Sequence, residues 1–362
     1  EMWPYWLMFA VPAIVALMTE VDRAGSRLPS VSVRLNEAWI AVALLLTLLI
    51  GFRYEVGGDW FNYFRYLDDV RWATLDEVLL MSDPGYQLIS WLSGQLDWDV
   101  FGVNLLGGAM FAVGLVVFCR HLPRPWLALA VAVPYLVIVV AMGYSRQGVA
   151  LGLAMLGLVA LGKGATGRFV FWVMLAATFH KTAVLLLPIA ALAAARNRIL
   201  AFAWGTGSLV LGYFLFLEDA ADSLYKNYVE AQYQSDGAMI RLAMNLLPAF
   251  ILLYWYKRFR FSAAERKLWL WFAVISLGLF GIFLLSPAST AIDRMALYML
   301  PLQLTVFSNF PDVISKETVT DVAAPVAGVL LYYGLVQFVW LNFAAHSQYW
   351  LPYRFYLLEA FS

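Results

Sequence analysis

Five basic residues, Arg53, Arg146, Lys181, Arg241 and Arg294, adjoin the ends of different apolar stretches in a chain of 362 residues. A basic side chain at the bilayer centre costs roughly 2.5–3.5 kcal/mol, and less toward the interface. Several at one level suggest a ring around an anionic ligand, because arginine's planar fork matches phosphate oxygens and lysine adds a compact charge. A pyrophosphate carried by a membrane lipid is the simplest ligand that is both anionic and at that depth. Asp59, Asp83 and Asp293 lie in the same regions, and His180, one of three histidines, stands beside Lys181 at a helix break. A carboxylate or imidazole there can orient or deprotonate a hydroxyl. The competing reading has each arginine snorkelling to a headgroup or pairing locally, Arg53 with Glu55 or Asp59 and Arg294 with Asp293. Metal-ligand spacing is missing among the histidines and acids, and a single cysteine, Cys119, excludes a cysteine cluster and an internal disulfide. Neither a metal nor a cofactor is expected.

Membrane helices must position these residues. The chain is 63% apolar and 13% charged, with a mean hydropathy of +0.74. Those values indicate a polytopic membrane protein, and without alternating ten-residue segments the fold class is all-α. Twelve spanning segments are expected, near 3–19, 38–52, 100–119, 126–142, 146–162, 169–179, 182–195, 199–217, 240–256, 268–286, 294–309 and 323–343. The first is read as a mature helix because it lacks a basic leader and a cleavage site. Residues 1–362 then form one transmembrane domain, with external loops 53–99 and 218–240 over a vestibule.

Charge sets the orientation. One set of loops carries 15 of the 24 basic residues and 7 acids, which leaves 9 bases and 17 acids on the other side. The basic set is assigned to the cytoplasm, so all five bases named above face outward. The twelve steps from Arg168 to His180 rise only about 18 Å, against about 30 Å of hydrocarbon. His180 and Lys181 should therefore lie below the outer membrane surface, in a water-filled vestibule. Zero net charge argues against a nucleic-acid partner. Trp60, Tyr63, Tyr66, Trp72, Tyr86, Trp91 and Trp98, with Tyr225, Tyr228 and Tyr233, suit either a sugar path or an interfacial aromatic belt. Gly148 and Gly152 read as helix packing, and Cys119 reads as a small buried residue.

Five motifs occur in order: FRYEVGGDW at 52–60, YSRQGVALGL at 144–153, TFHKTAVLLLP at 178–188, DRMALYMLP at 293–301 and YWLPYRFYLL at 349–358. Together they resemble the EpsG family of Wzy-type bacterial polysaccharide polymerases. Asp83-Pro84-Gly85-Tyr86 approximates that family's acidic Pro-Gly-aromatic turn. The resemblance implies a GT-C-like architecture in the bacterial plasma membrane with its active site on the periplasmic or outer face. It implies a metal-independent glycosyltransferase that moves a growing chain onto the next undecaprenyl-pyrophosphate-linked oligosaccharide unit, with a chain-length regulator as a possible partner. The catalytic set would be Arg146, His180, Asp59 and Arg294. Substrate binding would fall to Arg53, Tyr54, Lys181, Arg241, Ser145, Gln147 and Asp293. Two alternatives remain: a ligase that transfers the finished glycan, and a flippase for lipid-linked sugars. A flippase would expose its basic site to both sides and carry inverted repeats.

Overall fold

The computed structural model describes residues 1–25, 36–194, 237–285, 289–315 and 320–359. The span expected at 199–217 and nearly all of the loop 218–240 lie outside the described residues. All regular structure among the described residues is helical, and the only strand-like pairing is an isolated bridge between Arg53 and Phe355.

The helices are α1 (Trp3–Gly25), α2 (Glu37–Gly51), α3 (Trp60–Arg71), α4 (Leu75–Leu80), α5 (Pro84–Gln95), α6 (Asp99–Arg120), α7 (Pro125–Ala132), α8 (Ser145–Gly162), α9 (Thr166–Phe179) and α10 (Leu187–Ala194). They continue as α11 (Ala238–Trp255), α12 (Ala263–Leu285), α13 (Ser289–Leu297), α14 (Pro301–Ile314), α15 (Thr320–Phe343) and α16 (Tyr356–Glu359). Six of these, α1, α6, α8, α11, α12 and α15, contain stretches long and apolar enough to cross a membrane. Helices α2 and α9 and the segment 125–141 are apolar but shorter.

Three departures from the sequence expectation have local causes. The expected loop 53–99 contains α3, α4 and α5. In α3 the buried residues Trp60, Tyr63, Leu67 and Val70 recur at helical spacing within an otherwise polar segment, so the period is present while the mean hydropathy is low. A capping box between Thr74 and Glu77 starts α4, and Pro84 opens α5. The segment 126–142 changes after Ala132 into a π-helix, Val133–Ala141, at Pro134. Proline has no N–H to give the regular ladder, and the wider turn accommodates that loss. The segment 294–309 divides into α13 and α14, with Pro301 at the first position of the second helix.

Helix α7 and its π-helical continuation form the axis of the bundle. All nine π-helical residues are buried, and α1, α6, α8, α14 and α15 pack against this axis. Helices α6 and α8 approach to backbone contact: a methyl added at Gly114 would lie 2.0 Å from the Gly152 carbonyl oxygen and one at Gly152 2.6 Å from Phe111 Cα, while one at Gly148 would lie 3.0 Å from Ala141 Cα of the π-helix. Gly148 and Gly152 are therefore packing residues, as their spacing suggested. Cys119 is buried and unpaired. At the end of the bundle away from Arg146, Arg124 ties α1 to α14 through Glu20 at 3.1 Å and Asp312 at 2.7 Å.

After α15 the chain folds back over the segment between α2 and α3. Gly57 N–H donates to Tyr349 O at 2.8 Å, Tyr54 N–H to Arg354 O at 3.0 Å, and Tyr356 N–H to Phe52 O at 2.8 Å. Arg354 also pairs with Glu55. Trp350 is the anchor: its indole N–H donates to Ile138 O of the π-helix at 2.7 Å, and its carbonyl accepts from Tyr5 at 2.7 Å. A methyl at Gly143 would stand 2.1 Å from the Trp350 ring. Trp350→Ala should cost about 3–5 kcal/mol and Gly143→Ala about 1–3 kcal/mol. Both should appear as lower unfolding temperatures of the purified protein in detergent.

Candidate functional site

Arg53 is part of the site's frame. Its guanidinium is fully buried, and its donors go to Val56 O at 3.2 Å, Ile50 O, Asn104 Oδ1 at 2.9 Å and Ser145 Oγ at 2.7 Å, with the Trp60 ring 5.6 Å away. A side chain so occupied is not open to a ligand, which corrects the expectation that Arg53 contacts substrate. It joins the end of α2, the second turn of α6 and the first residue of α8. The Ser145 backbone N–H in turn donates to the Tyr63 hydroxyl at 2.8 Å, fixing α3 over the start of α8. Ser145 is thereby also a frame residue. Tyr54 belongs to an aromatic group with Trp60, Phe101 and Tyr356, ring centroids 6.2–6.4 Å apart, and supports the returning tail.

One residue beyond Ser145, Arg146 emerges from this frame. Its side chain is 33% exposed, with one edge held and the rest open. Nη1 donates to Asp83 Oδ2 at 3.0 Å and Nη2 to the Tyr66 hydroxyl at 3.2 Å. The guanidinium carbon lies 4.8 Å from the centroid of the Tyr66 ring and 6.0 Å from that of Tyr86. The other carboxylate oxygen of Asp83 accepts the Lys181 backbone N–H at 3.2 Å. Asp83 thus links the starts of α5 and α8 with the turn after α9. It does so from a left-handed backbone, φ 54°, which aspartate tolerates better than most side chains.

Helix α9 ends because His180 is extended, φ −153° and ψ 109°, and a 3₁₀ helix, Lys181–Leu186, follows. His180 Nδ1 is hydrogen-bonded to the Thr182 hydroxyl at 2.6 Å, which also reaches Tyr298 at 3.4 Å. Burial disfavours a charged imidazole at His180, and the positive fields of Arg146, Arg294 and Lys181 add to that. On the other side, Gln147 Nε2 donates to the Arg294 carbonyl at 2.7 Å, placing α13 beside the start of α8, with the Arg294 side chain exposed. Asp293 is taken by Arg241, Nε to Oδ1 at 2.7 Å and Nη2 to Oδ2 at 2.6 Å. That bidentate pair fastens α11 to α13. Local pairing of Arg53 with Glu55 is replaced by the pair of Glu55 with Arg354.

Asp59 lies at the start of α3, where its side chain accepts a hydrogen bond from Asn62 Nδ2 at 3.4 Å. Burial raises its pKa above the usual carboxylate range, while Arg146, the Asn62 contact and Arg294 pull the other way. Burial also raises that of Asp83, against Arg146 and Lys181. Burial thus makes both carboxylates more basic, and cations on separate helices oppose it. Asp83 was an acidic candidate from sequence and Tyr66 and Tyr86 were candidates for a sugar path, but their contacts with Arg146 were not foreseen. The Asp-Pro-Gly-Tyr turn and the helical spacing of Tyr63 and Tyr66 were the available signals.

The model of the EpsG family matches residues 38–355, most of the chain. The chain belongs to the EpsG family. EpsG is a family of Wzy-type polysaccharide polymerases, so membership together with the apolar helices points to a membrane glycosyltransferase of polymerase type. No curated protein and no solved structure matches the chain. The EpsG match spans the frame around Arg53, the Arg146–Asp83 pair, His180 and the tail anchor Trp350.

Proposed function

We propose that this EpsG-family protein polymerises undecaprenyl-pyrophosphate-linked oligosaccharide repeats at the outer face of the plasma membrane. Supporting this reading is one observation above the others: Asp83 ties the partly open Arg146 to the Lys181 turn, and Gln147, next to Arg146, holds the Arg294 backbone, so three cations from separate elements are tied to the start of α8. The acceptor hydroxyl oxygen bonds to the anomeric carbon of the growing chain, and the bond from that carbon to the donor pyrophosphate breaks. The hydroxyl proton passes to Asp59 or His180, and the bonding pair leaves with the pyrophosphate. Arg146 and Arg294 stabilise the departing charge, the task that a divalent cation performs elsewhere. Lys181 assists them, while Arg241 and Asp293 position α13, and Gln147 holds the Arg294 backbone. The two-sided charge count supports twelve spans with this end outward. The helical pieces around the vestibule are compatible with a GT-C-like arrangement, and a chain-length regulator would complete the machinery.

The test is a gel ladder from purified protein in lipid vesicles given lipid-linked repeat units of its own host. Native protein should produce a ladder that persists in chelator. A single transferred product would indicate a ligase, and transbilayer movement without products would indicate a flippase. The role of Asp59 has its own check. A base must be deprotonated to act, so a raised pKa places the loss of rate on acidification above the ordinary carboxylate range. Asp59→Asn should lower the rate by about 10²–10⁴-fold and remove that acidic limb from the pH profile. An unchanged limb would take Asp59 out of the role of base.

A further inference from the structure

His180 is held by one ring nitrogen and presents the other. Nδ1 lies 2.6 Å from the Thr182 hydroxyl, which lies 3.4 Å from the hydroxyl of Tyr298. Thr182 is the second residue of the 3₁₀ helix that follows α9, and Tyr298 comes directly after α13, which packs against that 3₁₀ helix. Nε2 has no hydrogen-bond partner among the described residues, and His180 is only partly buried. Its surroundings and the nearby cations keep the ring neutral. A neutral imidazole carries one hydrogen, and the bond made by one nitrogen decides which of the two carries it.

The hydroxyl protons decide which. Tyr298 is 2% exposed, and Thr182 Oγ1 is the one partner of its hydroxyl among the described residues. A buried hydroxyl donates to the acceptor it is offered. Tyr298 therefore gives its proton to Thr182 Oγ1, Thr182 gives its own to Nδ1, and the hydrogen of His180 stands on Nε2. In the reverse order Nδ1–H would donate to Thr182 and Thr182 to Tyr298, whose proton would then meet no acceptor among the described residues. Arg146 and Arg294, assigned above to the departing pyrophosphate, are the two strongest charges acting on the imidazole. The presented Nε2–H thus stands in the field of the groups that hold the anion.

We infer that the Tyr298–Thr182 relay locks His180 with its hydrogen on Nε2, so that His180 donates a hydrogen bond to a phosphate oxygen of the departing pyrophosphate and is not the base. The target of that bond rests on the polymerase reading; the relay rests on the three side chains. The proton of the acceptor hydroxyl then passes to Asp59, and His180 neither gains nor loses a proton during transfer. Thr182 and Tyr298 are positioning residues, acting through the orientation and tautomer of the imidazole.

The first measurement is nitrogen-15 NMR of histidine-labelled protein in nanodiscs, with His180→Gln identifying the His180 signals among those of the three histidines. Native protein should show a hydrogen on Nε2 and a bare Nδ1. Thr182→Val should shift the Nδ1 resonance, and Thr182→Ser should restore it. A hydrogen on Nδ1, or an Nδ1 resonance indifferent to Thr182→Val, would overturn the relay. The second measurement is the rate of ladder growth. His180→Ala should lose about 10²–10³-fold, as removal of an oxyanion donor does. His180→Gln, whose amide N–H can stand in for Nε2–H, should run about tenfold faster than His180→Ala, the worth of one neutral hydrogen bond. Thr182→Val should lower kcat about tenfold without moving KM, and Thr182→Ser should recover it. His180→Gln no faster than His180→Ala would overturn the donor role. The expected spectra with no polymer from native protein would remove the polymerase reading and leave the relay. Polymer from native protein whose His180 carries its hydrogen on Nδ1 would remove the relay alone.

Discussion

Arg146→Ala is expected to stop polymer growth while leaving a folded protein. One edge of the guanidinium is held by Asp83 and Tyr66, and the rest is open. Removing a preorganised charge donor aimed at a developing anion lowers turnover by about 10²–10³-fold, or roughly 2.7–4 kcal/mol of transition-state stabilisation. Because the side chain is only partly buried, the loss of stability should be smaller than that effect. Arg146→Lys should recover part of the rate, since the charge returns without the fork that engages Asp83 and a phosphate together. The measurement is a single-turnover rate with lipid-linked repeats, beside an unfolding curve for each variant. An Arg146→Ala protein that extends polymer at the native rate would take Arg146 out of the mechanism. Asp83→Asn offers a finer check. It keeps the shape while weakening the tether, so turnover should fall less than in Arg146→Ala and substrate affinity should change little.

Arg53→Met should have the opposite signature, a loss of stability before any question of rate. Four acceptors on α2, the connection after it, α6 and α8, namely Ile50 O, Val56 O, Asn104 Oδ1 and Ser145 Oγ, would lose their buried donors. Each orphaned buried group costs about 1–3 kcal/mol, and partial relaxation keeps the sum below simple addition. About 4 kcal/mol is expected, enough to reduce the amount of folded protein recovered from membranes. Arg53→Lys should rescue little, because a single ammonium cannot reach acceptors spread around a planar fork. Unfolding temperature and yield are the readouts. If Arg53→Lys unfolded at the native temperature yet made no polymer, Arg53 would be a ligand contact and the frame role assigned here would be wrong.

The two arginines show how much could be read from the chain before folding. Both were visible as charges in places that lipid penalises, and apolar stretches located the helices bearing Arg146, Lys181, Arg241 and Arg294. The ordered motifs led to the family. Hydropathy does not say which arginine is enclosed and which looks out. That depends on Asn104, a polar residue within the apolar α6, and on Ser145, both of which turn toward Arg53 only after α2, α6 and α8 assemble. Helices α3 and α5 were taken for loop because their buried residues alternate with charged and polar ones. Asp83 was seen as an acid on the right side, but its bridge from Arg146 to the Lys181 backbone depends on a left-handed residue and a helix break almost a hundred positions apart. Long-range geometry of that kind has no local signature.

The tail anchored by Trp350 has a consequence for how the protein is made. Residues 349–356 leave the ribosome after every other described part of the site, yet they supply the backbone acceptors and the indole wedge that cover the segment carrying Arg53. A nascent or prematurely terminated chain therefore lacks that cover, even with Arg146, Asp83 and His180 already synthesised. Synthesis through this segment becomes a condition for assembling the site, so chains cut short before Trp350 stay silent in the membrane.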